Sequence, residues 1–152
     1  MQRKALRIFA ILASAGALCF PAFSEQAPGI EGKWLAFESD LKTPRALVVI
    51  ARDGDRIVGT VAQLLDQEES GSDPVCQRCE GAYRNRKIIG LPILFLGLEH
   101  RDGAYRGTIL DPEDGRTYRC VVSPNATRDT LTIRGFVGMP IFGRDETWVR
   151  PR

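Results

Sequence analysis

Histidine is nearly absent from this chain: His100 is the only one in 152 residues. A Ser–His–Asp relay needs an imidazole held between a nucleophile and an orienting carboxylate. His100 instead opens His100-Arg-Asp-Gly103, a turn-forming stretch where a solvated side chain is expected. Long apolar runs are also missing. The longest, Ile8 to Phe20, falls short of the about 18 or more residues that a membrane-spanning helix needs, and nothing after it is as apolar. Beyond that run no stretch of about ten residues carries the 3.6-residue apolar period of an amphipathic helix. There is no glycine-rich phosphate loop, and no run of basic residues interleaved with aromatics. Neither nucleotide nor nucleic-acid recognition therefore has a footprint here. Cysteine is scarce, at four residues.

Among what is present, the amino-terminal segment separates itself first. Arg3, Lys4 and Arg7 precede the apolar run, and Pro21-Ala22-Phe23-Ser24 places small residues where a signal peptidase reads them. Residues 1–24 are thus expected to be a cleaved signal peptide, leaving residues 25–152 as one domain. A lipoprotein anchor at Cys19 is disfavoured by Leu18 before it. Because the leader takes three of the 21 basic residues and no acidic one, residues 25–152 hold 18 basic against 19 acidic residues. The apparent basicity belongs to the leader. The expected location is periplasmic or secreted, with no transmembrane segment in the mature chain.

The rest reads as short strands joined by turns. Ile30–Phe37, Ala46–Ala51 and Arg56–Leu65 are rich in β-branched and aromatic residues. Asp53-Gly54 between the last two is a hairpin signal, because glycine takes the positive φ that such turns require. Ile93–Glu99, Tyr105–Leu110, Arg116–Ser123, Thr130–Arg134 and Asp145–Arg150 continue the series. Asp102-Gly103, Asp111-Pro112 to Gly115 and Pro124–Asp129 supply turns between them. Asp66–Lys87 breaks the pattern as a long polar loop holding Cys76-Gln-Arg-Cys79, and it is expected outside the barrel wall. About eight short strands at regular spacing predict an all-β fold, an eight-stranded antiparallel up-and-down barrel that closes its own edges. Tyr118, Phe136 and Phe142 are expected to point inward.

The residues Gly32-Lys33-Trp34, Asp53-Gly54 with Ile57-Val58-Gly59, Gly90-Leu-Pro-Ile-Leu94, Tyr105-Arg-Gly-Thr-Ile-Leu-Asp-Pro112, Gly115-Arg-Thr-Tyr118, Leu131-Thr-Ile-Arg-Gly135 and Gly143-Arg-Asp-Glu-Thr-Trp-Val-Arg150 carry a resemblance. Together they resemble the secreted bacterial family catalogued as domain of unknown function 2147, over nearly all of the mature chain. That resemblance implies a small lipocalin-like barrel and an exported protein, and it implies no particular activity. In lipocalins a Gly-x-Trp opens the first strand and a basic residue near the chain end packs over the indole. The similarity places Gly32 and Trp34 in those positions, with Arg150 or Arg144 as the cation. Trp148 belongs to the same structural closure.

Candidate chemistry is thin. Cys76 and Cys79 form a C-x-x-C, but thioredoxin-like chemistry needs that motif at a helix start. In an oxidising compartment a disulfide is expected, within the pair or from either one to Cys120, which sits on the apolar face of its strand. A zinc set of Cys76, Cys79, Cys120 and His100 is chemically conceivable, yet its members fall on a loop, a strand and a turn. The acidic pairs Glu68-Glu69, Glu113-Asp114 and Asp145-Glu146 lie in or beside turns, and Asn125-Ala-Thr127 is a sequon without meaning in a bacterial exporter. No catalytic residue, metal or cofactor is expected. The function expected is a non-enzymatic periplasmic barrel that holds a small apolar or amphipathic molecule. The alternative is a cell-envelope protein-interaction module with a filled barrel and no ligand. Cavity volume separates the two, since ligand pockets measure about 300 Å³ or more.

Overall fold

The computed structural model describes residues 29–37, 42–65 and 74–152. The leader with its cleavage point after Ser24, and Glu68-Glu69, lie outside the described residues. Each apolar alternation in the sequence becomes a strand: β1 (Gly32–Phe37), β2 (Pro44–Asp53), β3 (Arg56–Leu64), β4 (Pro92–Leu96), β5 (Tyr105–Leu110), β6 (Thr117–Pro124), β7 (Thr130–Phe136) and β8 (Arg144–Val149). Sequential neighbours pair antiparallel around a closed barrel, and β1 meets β8 through Leu35 with Val149 and Ala36 with Trp148. The expected all-β, eight-stranded up-and-down barrel is the observed fold. Pro92 starts β4, where its missing N–H breaks no ladder bond.

Period two fixes which side chains enter the barrel. Trp34, Val48, Ile50, Ile57, Val61, Leu94, Leu96, Tyr105, Cys120, Val122, Leu131, Ile133 and Trp148 are all buried in one core. By the same alternation Ile109 on β5, Tyr118 on β6, Gly135 on β7 and Glu146 on β8 share the inward face. Two of the expected inward aromatics do not. Phe136 follows Gly135 by one residue and so lies on the outer face, where it is covered by Arg119, whose guanidinium carbon is 5.4 Å from the ring centre. Phe142 stands in the β7–β8 connection and is 76% exposed.

The barrel has two unlike ends. The turns after β2, β4 and β6 and the start of β1 gather at one end. The connections after β1, β3, β5 and β7 gather at the other, and there the long β3–β4 segment is not loose outside the wall. Val75 pairs with Lys87, Cys76 N–H donates to Arg86 O, and Asn85 N–H donates to Cys76 O. These bonds make a small hairpin that buries Cys76 and Cys79 against the barrel core. It docks on the β5–β6 turn, where Cys76 Sγ lies 3.3 Å from Pro112 O. Gly115 makes that docking possible: its φ is +74°, and a Cβ there would overlap the Arg78 carbonyl and lie 2.6 Å from Cys79 N.

Candidate functional site

At the first end the chain's beginning and finish interlock. Trp34 is fully buried, and its indole N–H donates to Ile30 O at 2.8 Å. The Arg150 guanidinium stacks over that indole, 4.3 Å from the ring centre. Its remaining donors reach backbone carbonyls of Arg128 at 2.8 Å and of Glu31 and Gly29 at 3.1 Å each. Gly32 explains the Gly-x-Trp spacing: a Cβ there would sit 2.6 Å from Arg150 Nη1, and its φ is +122°. The cation is Arg150. Arg144 is at the opposite end of β8 and takes no part. Beside this plug, Glu99 accepts from Arg128 at 2.8 Å and from Tyr105 OH at 2.9 Å. The Arg128 hydrogen bond holds the Glu99 carboxyl below its ordinary value despite partial burial. A shallow polar cleft of about 230 Å³ lies outside this end, between Asp102, Ser123, Asn125 and Arg128.

The second end has a different lining. Glu146 is on the inward face of β8, two residues before Trp148 and opposite Ile133. It accepts from Trp148 Nε1 at 3.3 Å. Although it lies on the inward face, it is solvent-exposed, because it stands near the start of β8 at the mouth of the barrel. The wall strips part of its hydration and pushes the carboxyl pKa up. Trp148's hydrogen bond opposes that rise, the Asp111 charge adds to it, and Arg45 opposes it. Asp111 continues the inward phase of β5 and is likewise raised, by burial and then by Asp114. Arg45, at the start of β2, forms an ion pair with Glu113 in the β5–β6 turn, so it crosses between opposite sides of the ring of strands. Tyr118 donates its phenol hydrogen to Asp114.

Glycine shapes this upper lumen. A Cβ on Gly135 would meet only Ile109 Cγ2, at 3.9 Å, an ordinary contact. Cys120 is a free buried thiol, pushed up to about 12 by desolvation. Cys76 and Cys79 are joined to each other with an S–S distance of 1.98 Å. His100 belongs to the plugged end, so the conceivable zinc set is not assembled, and no group of metal ligands occurs among the described residues. The acidic pair Asp145-Glu146 is split by the strand: Asp145 faces out to Arg134 at 2.7 Å and Glu146 faces in. Reading that pair as part of a turn hid Glu146. The signal that finds it is its even spacing from Trp148. The rim at this end carries Val137, Met139, Ile141 and Phe142, exposed by 75, 61, 73 and 76%.

A family model described as "Uncharacterized protein conserved in bacteria (DUF2147)" matches residues 32–150. Among solved structures, the chain is similar to protein HP1028 from the human pathogen Helicobacter pylori, which is described as belonging to the lipocalin family. The two share 17% identity with a TM-score of 0.66, over 81% of this chain and 83% of that one. No curated protein matches the sequence.

Proposed function

The chain belongs to the bacterial family of uncharacterized proteins DUF2147, and on that footing we propose that it is an exported, non-enzymatic carrier of a small apolar or amphipathic molecule held in the barrel. The observation that carries this reading is Glu146, an inward side chain that water still reaches. It stands near the start of β8 at the open end of the barrel, on the face that Gly135 and Ile109 share. Apolar walls with few polar groups are what small-molecule pockets use. Export is proposed from the leader alone. Amino-terminal sequencing of the secreted form should start at Glu25, and a mature chain retaining Ile8–Phe20 would overturn it.

Native mass spectrometry of the protein purified from its own compartment tests the carrier reading. A co-purified small molecule is expected in the wild type. Gly135 has ordinary strand geometry, so Gly135→Leu should keep the fold, fill the lumen and lose that mass. Retention of the same adduct by a folded Gly135→Leu protein would place the molecule elsewhere. The second reading, an envelope interaction module, draws on the exposed Val137, Met139, Ile141 and Phe142. Exposed apolar groups in one connection mark interaction sites. Phe142→Asp should then abolish crosslinking to an envelope protein while leaving any small-molecule adduct intact.

A further inference from the structure

We propose that the β7–β8 connection is a membrane-docking tip, which sets the mouth of the barrel against an anionic lipid surface. This goes beyond the carrier reading and does not depend on it.

The stretch Arg134-Gly-Phe-Val-Gly-Met-Pro-Ile-Phe-Gly-Arg144 has an arginine at each end and no acidic residue between them. Val137, Met139, Ile141 and Phe142 within it are each 61% exposed or more. Side chains in a flat patch shade one another, so exposure this high in a short connection is that of a protruding tip. Leu65 and Ile89, which follow β3, are exposed at the same end. Among the described residues, the plugged end has only Leu98 as an exposed large apolar side chain.

The tip is held in shape, and its carbonyls are already satisfied. Gly138 turns the chain with a φ of +75°. Phe142 N–H donates to Met139 O at 3.2 Å, and Gly143 N–H donates to Pro140 O at 3.0 Å. Arg134 completes the set: its Nε donates to Pro140 O at 2.7 Å and its Nη2 to Ile141 O at 3.4 Å. A Cβ on Gly143 would stand 2.7 Å from Gly135 O, so the returning chain is packed against β7. The carbonyls of Met139, Pro140 and Ile141 can therefore leave water without losing a partner, as entry into a poorly hydrated medium requires. A protein partner needs about 800 Å² from each side, so it would have to bury the charged flanks as well. A lipid surface closes around the tip alone.

The flanks carry the charge that such a surface attracts. Arg144 stands at the base of the tip, exposed and without an ion pair among the described residues. Arg119 is exposed on the outer wall, over Phe136. Of the carboxylates nearby, Asp145 pairs with Arg134, Glu113 pairs with Arg45, and Asp114 accepts from Tyr118; Glu146 lies on the inward face. Apolar side chains in the interface with cations beside them are how interfacial anchors hold.

The test is flotation of residues 25–152, which hold the whole closed barrel, with vesicles of phosphatidylglycerol and phosphatidylethanolamine or of phosphatidylcholine alone. Wild type should float with the anionic vesicles and much less with the neutral ones. Phe142→Asp should weaken binding by about tenfold or more. Arg144→Gln should weaken it about fivefold, on the anionic vesicles only. A thermal melt confirms that both variants fold. Ile141→Trp reports the contact itself, because Trp34 and Trp148 are already buried; its emission should shift to the blue on anionic vesicles. Absence of flotation, absence of that shift, equal binding to both vesicles, or undiminished binding by folded Phe142→Asp overturns the proposal. If vesicles fail and Phe142→Asp instead dissolves a dimer or a crosslink to an envelope protein, the tip belongs to that partner and the proposal is wrong. Gly135→Leu, which tests the carrier reading, should float as wild type does, so the two readings fail separately.

Discussion

At the residue scale, Arg150 does more than neutralise charge. It stacks on Trp34 and hydrogen-bonds three carbonyls from two distant segments. Truncating Trp34 to Ala should cost about 3–5 kcal/mol, as for other fully buried aromatics. Arg150→Ala should cost about 2 kcal/mol, because three part-buried carbonyls lose a charged donor and Trp34 loses its stacking partner. Denaturant midpoints check both, and an unchanged midpoint in either would show that the two ends of the chain do not share a core. Glu99 sets a pH dependence nearby. Its folded pKa is depressed below its ordinary 4.5, first by Arg128. The stability it contributes is therefore complete above that ordinary value and is lost as pH falls through the folded one. Stability of Glu99→Gln should fall less steeply than wild type over that acid range. Glu146, raised by burial, has the opposite sign: its contribution is complete below the unfolded value and is lost as pH rises through the folded one.

At the scale of elements, the β3–β4 hairpin closes a very short ring through Cys76 and Cys79. Ring closure removes loop entropy only as the logarithm of ring size, so this bridge is worth about 2 kcal/mol, the low end for native disulfides. Both cysteines are buried on the β5–β6 turn, so the loss should not remain local. Replacing both by Ala is expected to lower global stability by about that 2 kcal/mol and to open residues 74–91 to proteolysis. Rapid cleavage there with no change in the melting transition would show that the hairpin only decorates the barrel.

At the scale of the whole molecule, closure depends on one short seam. β1 and β8 share the pairs Leu35–Val149 and Ala36–Trp148, whereas β2 and β3 pair from Ala46–Leu64 through Asp53–Arg56. Arg150 supplies the side-chain reinforcement of that seam. Ending the chain at Thr147 should abolish the cooperative thermal transition, because it removes Trp148, Val149 and Arg150 together. Removing only Pro151 and Arg152, both exposed, should leave the transition unchanged. Among the described residues no helix is long and apolar enough to cross a membrane.

The sequence by itself determined the barrel. Alternating apolar residues between Asp-Gly and Pro-containing turns leave antiparallel neighbours as the natural pairing, and closure is the way to bury every edge. Gly32 and Trp34 also stood out, because their spacing carries a family pattern with a plain steric cause, but the choice of Arg150 over Arg144 as the stacking cation came from the structure. Tertiary structure decided the rest. Whether Cys76 reaches Cys79 or Cys120 depends on where a long loop docks, and no local pattern states that. Phe136 and Phe142 kept their aromatic character in the sequence but not their side of the wall, since strand phase across the β7–β8 corner is set by pairing with β6 and β8. Glu146 shows the same dependence most sharply. In sequence it is half of an acidic pair beside a turn. Only the register of β8, locked by Trp148 against Leu131 and by Ala36 across the seam, turns its carboxylate into the lumen.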